Sequence, residues 1–284
     1  MKAMKAKEVP LDKLDYPLWA QLKYDGVRII TTIKEGKIRL RTYNGNDVNL
    51  PYMRDIFRAS HYNNIMLDGE MVIYNGTMSN RTTVSGMINS AMHGGTINER
   101  ILNYAIFDTM SIQEFESCNC NILYKDRYWK ALDIITTIGM PLTIARNIVV
   151  QSSKEVIELS EQMYRDGYEG LILKSVNHLY SFKRDKAWAK IKQTKTADLK
   201  CIDVTEGTGK YEGMIGALIC EGIVEGKNVL VKAGSGLSDN QRARSFDYYI
   251  NKIIEIKYNS IIKDTVTGKW SLFLPRFVHV RFDK

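Results

Sequence analysis

Cysteine and histidine are scarce in this chain, with four of each among 284 residues. Cys118, Cys120, Cys201 and Cys220 make no Cys-x-x-Cys pair, so no zinc site is expected, and their spacing does not read as a disulfide framework. Long apolar runs are also missing. No stretch of 18 apolar residues is present to cross a membrane. The stretch from Met1 to Pro10 alternates lysine with small residues and has no apolar core, so it does not read as a secretory signal. Internal repeats and low-complexity linkers are absent. Together these lacks predict a soluble protein of a reducing, intracellular compartment, the cytoplasm, with no membrane association.

What is there is ordinary in bulk and biased in charge. Hydrophobic residues make up 44% and charged residues 25%, as in soluble globular proteins, and the length suits one large domain or two ordinary ones. The formal net charge of +8 favours an anionic partner, with nucleic acid the obvious one.

Along the chain, residues 19–33 and 38–43 read as strands joined by a tight turn at Glu35-Gly36. Further strands are expected at 65–74, 102–108, 168–175 and 187–192. Helices are expected at 124–138 and 153–166; Ser152 and Glu155 have capping-box spacing, and Gly167 ends the second. After about Gln193 the pattern becomes short strands with Gly-rich turns and one helix near 238–250, which fits a small barrel such as an OB-fold. The reading is therefore α+β: a domain over 1–194 built mainly on antiparallel sheet, then an OB-fold β-barrel domain over 195–284. Arg242 and Arg244, near the barrel helix, read either as contacts to an anionic partner or as a solvated helix face.

The chemistry centres on Lys23 in Lys23-Tyr24-Asp25-Gly26-Val27-Arg28. A lysine in an apolar, strand-like run is a poor core residue. It is a good nucleophile where its environment favours the neutral amine. The rest of the first domain supplies what such a lysine needs. Glu70 and Glu169 are carboxylates on apolar strands, able to hold a divalent cation. Phe107 offers an aromatic face to a base. Lys190 and Lys192, at period two, put two cations on one strand face for phosphate oxygens. Together they describe a nucleotide site, with attack on a nucleotide phosphorus as the reaction.

With those residues in place, the chain resembles the covalent nucleotidyltransferases, and among them the ATP-dependent DNA ligases in a minimal two-domain form. The K-x-D-G-x-R element matches Lys23 to Arg28, D-G-E matches Asp68 to Glu70, and F-D matches Phe107-Asp108. E-G-x-x-x-K matches Glu169 to Lys174, and W-x-K-x-K matches Trp188 to Lys192. Pro275-Arg276-Phe277 leading into Arg281-Phe282-Asp283-Lys284 matches the last element. Six elements in the family's order cover nearly the whole chain.

The resemblance implies an adenylation domain, an OB-fold domain, ATP and Mg²⁺ (or Mn²⁺) as cofactors, and nicked duplex DNA as partner, with the protein acting as a monomer. It implies Lys23 and Asp25 as catalytic residues. Gln21, Leu22, Arg28, Glu70, Phe107, Glu169, Lys190, Lys192, Arg281 and Lys284 would bind the nucleotide, with Glu70 and Glu169 also metal ligands. By the same analogy Phe107 stacks on adenine, Arg28 and Glu70 contact ribose or the nick phosphate, and Lys190 and Lys192 bind the α-phosphate. Arg281, Asp283 and Lys284 would close over ATP and orient pyrophosphate. The chain departs from the family at Gln21, where glutamate is frequent, and at Tyr43, where an arginine is usual and Arg41 is the candidate substitute. With Lys23 so early, no N-terminal DNA-binding domain is expected, and residues 195–284 leave no room for a latch on the barrel. The alternatives are an RNA ligase or a capping-type guanylyltransferase of the same superfamily, and a catalytically silent nucleic-acid-binding OB module. Asp25 and the Arg-x-Asp-Lys ending favour the DNA enzyme, and the lack of zinc-finger cysteines disfavours an NAD-dependent ligase.

Overall fold

The structure, a computed structural model, describes residues 3–73, 81–166, 168–192, 195–258, 260–263 and 268–283. The chain divides into two compact units, Met1–Lys192 and Gln193–Lys284.

The first unit holds strands β1 (Lys5–Lys7), β2 (Leu18–Leu22), β3 (Val27–Lys34), β4 (Lys37–Thr42), β5 (Ile65–Ile73), β6 (Leu102–Ser111), β7 (Leu142–Ile144), β8 (Asn147–Val150), β9 (Gly170–Lys174) and β10 (Arg184–Lys192). Its helices are α1 (Pro51–Ala59), α2 (Arg81–Met92), α3 (Ile112–Ser117), α4 (Tyr124–Ile138) and α5 (Ser153–Arg165). The strands form two sheets, β1-β10-β9-β2-β8 and β4-β3-β5-β6-β7. Pairing is antiparallel except at β1–β10 and β6–β7.

Three apolar layers hold this unit together. Ile29, Ile33, Leu40 and Leu67 pack the outer face of the second sheet against Met53, Phe57, Val84 and Ile88 of α1 and α2. Leu171, Leu173 and Ala189 pack the outer face of the first sheet against Val156 and Met163 of α5. Between the sheets, Ile30, Met66 and Met110 meet Trp19, Ile172 and Trp188. β3 is thus covered on both faces, which is why its sequence Val-Arg-Ile-Ile-Thr-Thr-Ile shows no clean alternation.

The expected single strand over 19–33 is two strands in different sheets. β2 ends at Leu22, and the chain turns through Lys23–Gly26 before β3 starts the other sheet. Gly26 permits the crossover: a Cβ there would strike the Met71 carbonyl and come within 2.9 Å of Val72 Cγ1. The β3–β4 turn is as expected, with Glu35 and Gly36 both at positive φ (48° and 74°). α4 has the expected bounds. α5 starts behind Ser152, whose hydroxyl accepts from the Glu155 N–H at 3.3 Å; the expected stop at Gly167 lies outside the described residues.

The second unit holds β11 (Lys195–Glu206), β12 (Ile215–Val224), β13 (Lys227–Ala233), α6 (Asp239–Arg242), β14 (Ile253–Tyr258), β15 (Ser260–Lys263), β16 (Trp270–Phe273) and β17 (Arg276–Arg281). The sheet runs β15-β16-β13-β12-β11-β14-β17. A bridge between Ser235 and Arg276, with Phe277 N–H donating to the Ser235 carbonyl at 2.8 Å, closes β11-β12-β13-β17-β14 into a ring. The β15–β16 hairpin hangs on β13 outside the ring, an addition the sequence reading did not anticipate. The helix expected over 238–250 is only four residues long. Arg242 is buried and donates to the carbonyls of Ile215 (2.9 Å), Gly216 (2.7 Å) and Gly234, so it is neither a solvated helix face nor a contact for a partner. No helix among the described residues is long and apolar enough to cross a membrane.

Candidate active site

Between the two sheets of the first unit lies an open cavity. Its lining includes Gln21, Leu22, Ile172, Lys174 and Trp188 of the first sheet, Arg28, Glu70 and Phe107 of the second, and Lys23 and Tyr24 in the turn between β2 and β3.

Lys23 follows directly on β2, and its N–H donates to the Gly170 carbonyl at 2.9 Å, which fixes the start of the side chain. Its Nζ pairs with Glu169. The other Glu169 oxygen accepts from Lys192 Nζ at 2.6 Å. Burial opposes ionisation of Glu169, but Lys23 and Lys192 outweigh it and hold the carboxyl below its usual range. Asp25, in the turn, shifts the other way: burial and then the Glu169 charge raise it, against Lys23, Arg81 and Lys192. Glu70 stands opposite Arg28 across β3 and β5. Burial pushes its carboxyl up to about 7, although Lys23, Arg28 and Arg81 pull against the shift.

Arg28 lines the cavity, but most of its donors are committed. It grips Asp68 with two bonds (2.8 and 2.5 Å) and donates to the Met4 carbonyl at 2.7 Å. Asp68, fully buried, also accepts from Tyr180 Oη at 3.2 Å. The acids of the Asp-Gly-Glu element therefore divide: Asp68 anchors the arginine, and Glu70 faces the cavity.

Phe107 is placed by a β-bulge. Asp68 pairs with Asp108 while Gly69 pairs with Ile106, so Phe107 is the extra residue on β6. A bulge re-aims a side chain, and here the ring enters the cavity wall. Its neighbour Asp108 binds buried Arg127 of α4 with two bonds (2.7 and 2.9 Å). Behind Phe107 lies Lys174, fully buried, whose Nζ donates to Tyr124 Oη (3.0 Å) and the Phe107 carbonyl (3.4 Å). That ammonium lies 4.1–4.9 Å from the ring centres of Trp188, Tyr124 and Phe107. Burial brings its pKa down to about 7 against the pull of Asp108 and Asp68.

Gln21 is buried beside this group. Its Nε2 donates to the Ala145 carbonyl (2.7 Å), Asn147 Oδ1 (3.1 Å) and Tyr124 Oη (3.4 Å). The amide nitrogen being so engaged, the oxygen is the end available to accept from an exocyclic amine.

The cavity thus brings together Gln21, Leu22, Lys23, Arg28, Glu70 and Phe107, with Glu169 and Lys192 linked to it through Lys23. Lys190 shares a strand face with Lys192 but pairs with Glu8 at 3.1 Å. Trp188 faces the cavity while Ile191 lies on the opposite face of β10. Arg281 belongs to the second unit, where Asp283 (2.8 and 2.7 Å) and Asp198 (3.3 Å) hold it. Lys284 lies outside the described residues. Arg41 lines a separate cleft on the β3–β4 hairpin, and the Tyr43 ring lies 5.5 Å from the Arg28 guanidinium. Sequence reasoning passed over Lys174 and Tyr124. The end of the Glu169–Lys174 element was a signal for the first; no motif marks the second.

A lysine, paired carboxylates and an aromatic-lined cavity between antiparallel sheets, in a chain that continues into an OB-like barrel, define a covalent nucleotidyltransferase scaffold. The sequence model described as ATP dependent DNA ligase domain matches residues 1–192, and that described as DNA ligase OB-like domain matches residues 206–281. The chain belongs to the ATP-dependent DNA ligase family. It is 25% identical to the DNA ligase of Enterobacteria phage T4, across 95% of this chain and 66% of that protein. It is 26% identical to the DNA ligase of Methanosphaerula palustris, across 93% and 51%. The chain therefore spans between about half and about two thirds of the length of these curated relatives. Its fold is that of solved ligases. A Lig E DNA ligase superposes with a TM-score of 0.75 at 22% identity, covering 99% of both chains. The bacteriophage T7 ligase in complex with ATP superposes with a TM-score of 0.57 at 19% identity, covering 99% and 98%.

Proposed function

We propose that this protein is an ATP-dependent DNA ligase that seals nicks between a 3′-hydroxyl and a 5′-phosphate in duplex DNA, acting as a monomer in the cytoplasm. The observation that carries the reading is Lys23 itself: it opens into the cavity between the sheets, lined by Gln21, Phe107 and Trp188, while its ammonium is held by a carboxylate that a second lysine shares. In the first step Nζ gives its proton to solvent, leaves Glu169 and attacks the α-phosphorus of ATP. The bond to the bridging oxygen breaks, and pyrophosphate departs with the electron pair. A 5′-phosphate oxygen then attacks the phosphorus of the lysyl-AMP, the P–N bond breaks, and Lys23 takes up a proton from solvent and leaves as the amine. Finally the 3′-hydroxyl gives its proton to solvent and attacks the activated 5′-phosphate, and AMP departs with the electron pair of the broken P–O bond.

Phe107 and Trp188 supply the apolar walls for adenine, and the Gln21 amide oxygen accepts from its amino group. Arg28 and Glu70 border the ribose and the nick phosphate, with Asp25 beside the nucleophile. Lys192 and Lys190 take the α-phosphate oxygens, each leaving the carboxylate it holds at rest. Arg281 and Lys284, from the last motif of the chain, orient pyrophosphate. No group of three or more His, Cys, Asp or Glu side chains among the described residues is placed to hold a metal ion. Glu169 and ionised Glu70 would hold a Mg²⁺ or Mn²⁺ taken up with the triphosphate. Such an ion would neutralise charge on the phosphate oxygens.

The test is intact mass after incubation with ATP or GTP and Mg²⁺. A gain of one AMP on Lys23, from ATP only and absent from Lys23→Ala, is the expected result; sealing of nicked DNA in preference to nicked RNA completes it. A GTP adduct would move the protein to the capping class. No adduct, even after pyrophosphate has stripped any AMP carried through purification, would overturn the reading.

A further inference from the structure

Two of the four cysteines stand face to face in the core of the second unit. β11 and β12 pair Cys201 with Cys220, and both side chains are fully buried. The backbone settles which kind of pair this is. Cys201 N–H donates to the Lys252 carbonyl at 2.9 Å, and the Cys201 carbonyl accepts from Asn251 N–H at 2.8 Å. Both polar groups of Cys201 are thus spent on the side away from β12. Cys201 and Cys220 are therefore a non-hydrogen-bonded pair, the closer of the two kinds in an antiparallel ladder. Such a pair holds its Cα atoms about 4.5 Å apart with both Cβ atoms on one face, within the span of a disulfide.

The two thiols also touch. The Cys220 S–H donates to the Cys201 sulfur, which pulls the Cys201 thiol below its usual range and pushes Cys220 up. Cys201 Sγ itself donates to the Asp203 carbonyl at 3.4 Å. That carbonyl belongs to a β-bulge: Cys201 pairs with Cys220 and Asp203 with Ile219, leaving Ile202 as the extra, exposed residue. A bulge interrupts the ladder, so the strands part here more readily than along an unbroken pair, and a water-sized molecule gains entry. Plain packing, which Leu218 and Val231 supply in the same core, requires neither a second thiol opposite nor a bulge beside it.

We propose that Cys201 and Cys220 are a redox modification site, a buried dithiol that hydrogen peroxide converts to a cross-strand disulfide and a thiol reductant restores. The Cys201 thiolate attacks one peroxide oxygen and the O–O bond breaks. The other oxygen leaves as water, carrying the thiol proton, and the sulfur is oxidised to a sulfenic acid. Cys220 then attacks that sulfur, the S–O bond breaks, and the hydroxyl leaves as water with the Cys220 proton. Two thiols and one peroxide give one disulfide and two waters. Because the resolving thiol is already in contact, it captures the sulfenic acid before a second peroxide can carry it to the sulfinic acid. The product staples β11 to β12 beside the bulge.

The experiment treats the whole protein with hydrogen peroxide, removes the peroxide, and unfolds the protein in excess iodoacetamide. A non-reduced peptide map is then read by mass. The expected product joins the Cys201 and Cys220 peptides, lighter by two hydrogens than their sum, and dithiothreitol makes both cysteines alkylatable again. Amide exchange in β11 and β12 slows by about tenfold or more on oxidation, while the first unit is unchanged. Cys118→Ser, which removes the exposed thiol, forms the same bridge at the same rate. Peroxide that oxidises Cys118 but leaves Cys201 and Cys220 alkylatable overturns the proposal. So does a bridge from either of them to Cys118 or Cys120, or between two chains.

Discussion

Lys174 illustrates how far a residue's surroundings can move it from its usual behaviour. A lysine read from sequence is an exposed, charged group. Here the alternation of β9 turns it into the space between the sheets, among three rings and two Arg–Asp pairs already balanced in charge. Its folded pKa near 7 lies below the ordinary 10.5, so the folded state favours the neutral amine. The stability it contributes is present above 10.5 and is lost as pH falls towards 7. Lys174→Met escapes that loss, so it should gain on wild type by about 1–4 kcal/mol between pH 10 and pH 7 in urea unfolding. A constant difference would show that the amine stays solvated. Glu70 runs in a different window. Its folded pKa of about 7 exceeds the ordinary 4.5, so its contribution is present below 4.5 and is lost as pH rises through 7. Glu70→Gln should therefore be more stable than wild type at pH 8 and close to it at pH 4.5, read from unfolding midpoints. Of the residues in this cavity, Lys23, Glu70 and Phe107 were legible because each stands in a short motif with a chemical reason. The commitment of Arg28 to Asp68 was not legible, since it depends on which strands become neighbours.

Elements were legible where the local signal and the tertiary outcome agree. α4 and α5 carry an apolar face, and α5 a side-chain cap, so their bounds follow from the chain itself. The apolar run over 19–33 misleads because it continues across the point where the chain leaves one sheet for the other, and periodicity cannot report a change of sheet. Gly26 marks that point. Gly26→Ala would press a Cβ into the Met71 carbonyl and the Glu70 side chain, moving the turn that carries Lys23. The expected result is a loss of about 1–3 kcal/mol in unfolding free energy and a disproportionate fall in AMP-adduct rate; a stable, fully active variant would mean that the two strands can part without cost. The Phe-Asp element is likewise two things at once. Phe107 shapes the cavity, while Asp108 clamps α4 to β6 through Arg127, both side chains being buried. Asp108→Asn strands the guanidinium and should cost about 3–5 kcal/mol, and an Asp108→Leu/Arg127→Met pair should recover much of it.

At the scale of the whole chain, the Gly-rich turns beyond Gln193 made the barrel readable, since five short strands so punctuated close more easily than they stack. The β15–β16 hairpin was not readable as an addition, because its two short strands look like any others until the ring is seen to close without them. The same organisation divides the chemistry. Lys23 and the cavity it opens into belong to the first unit, and the last motif belongs to the second, where Asp283 and Asp198 occupy the Arg281 guanidinium. On the proposed reading Arg281 orients pyrophosphate, and pyrophosphate leaves in the first step alone. Arg281→Ala should therefore slow formation of the AMP adduct from ATP by at least tenfold, while sealing of a nick supplied already 5′-adenylated proceeds near the wild-type rate. Single-turnover measurements of the two reactions on one preparation separate the steps. An equal loss in both would place Arg281 in the binding of DNA and leave the departure of pyrophosphate to the first unit.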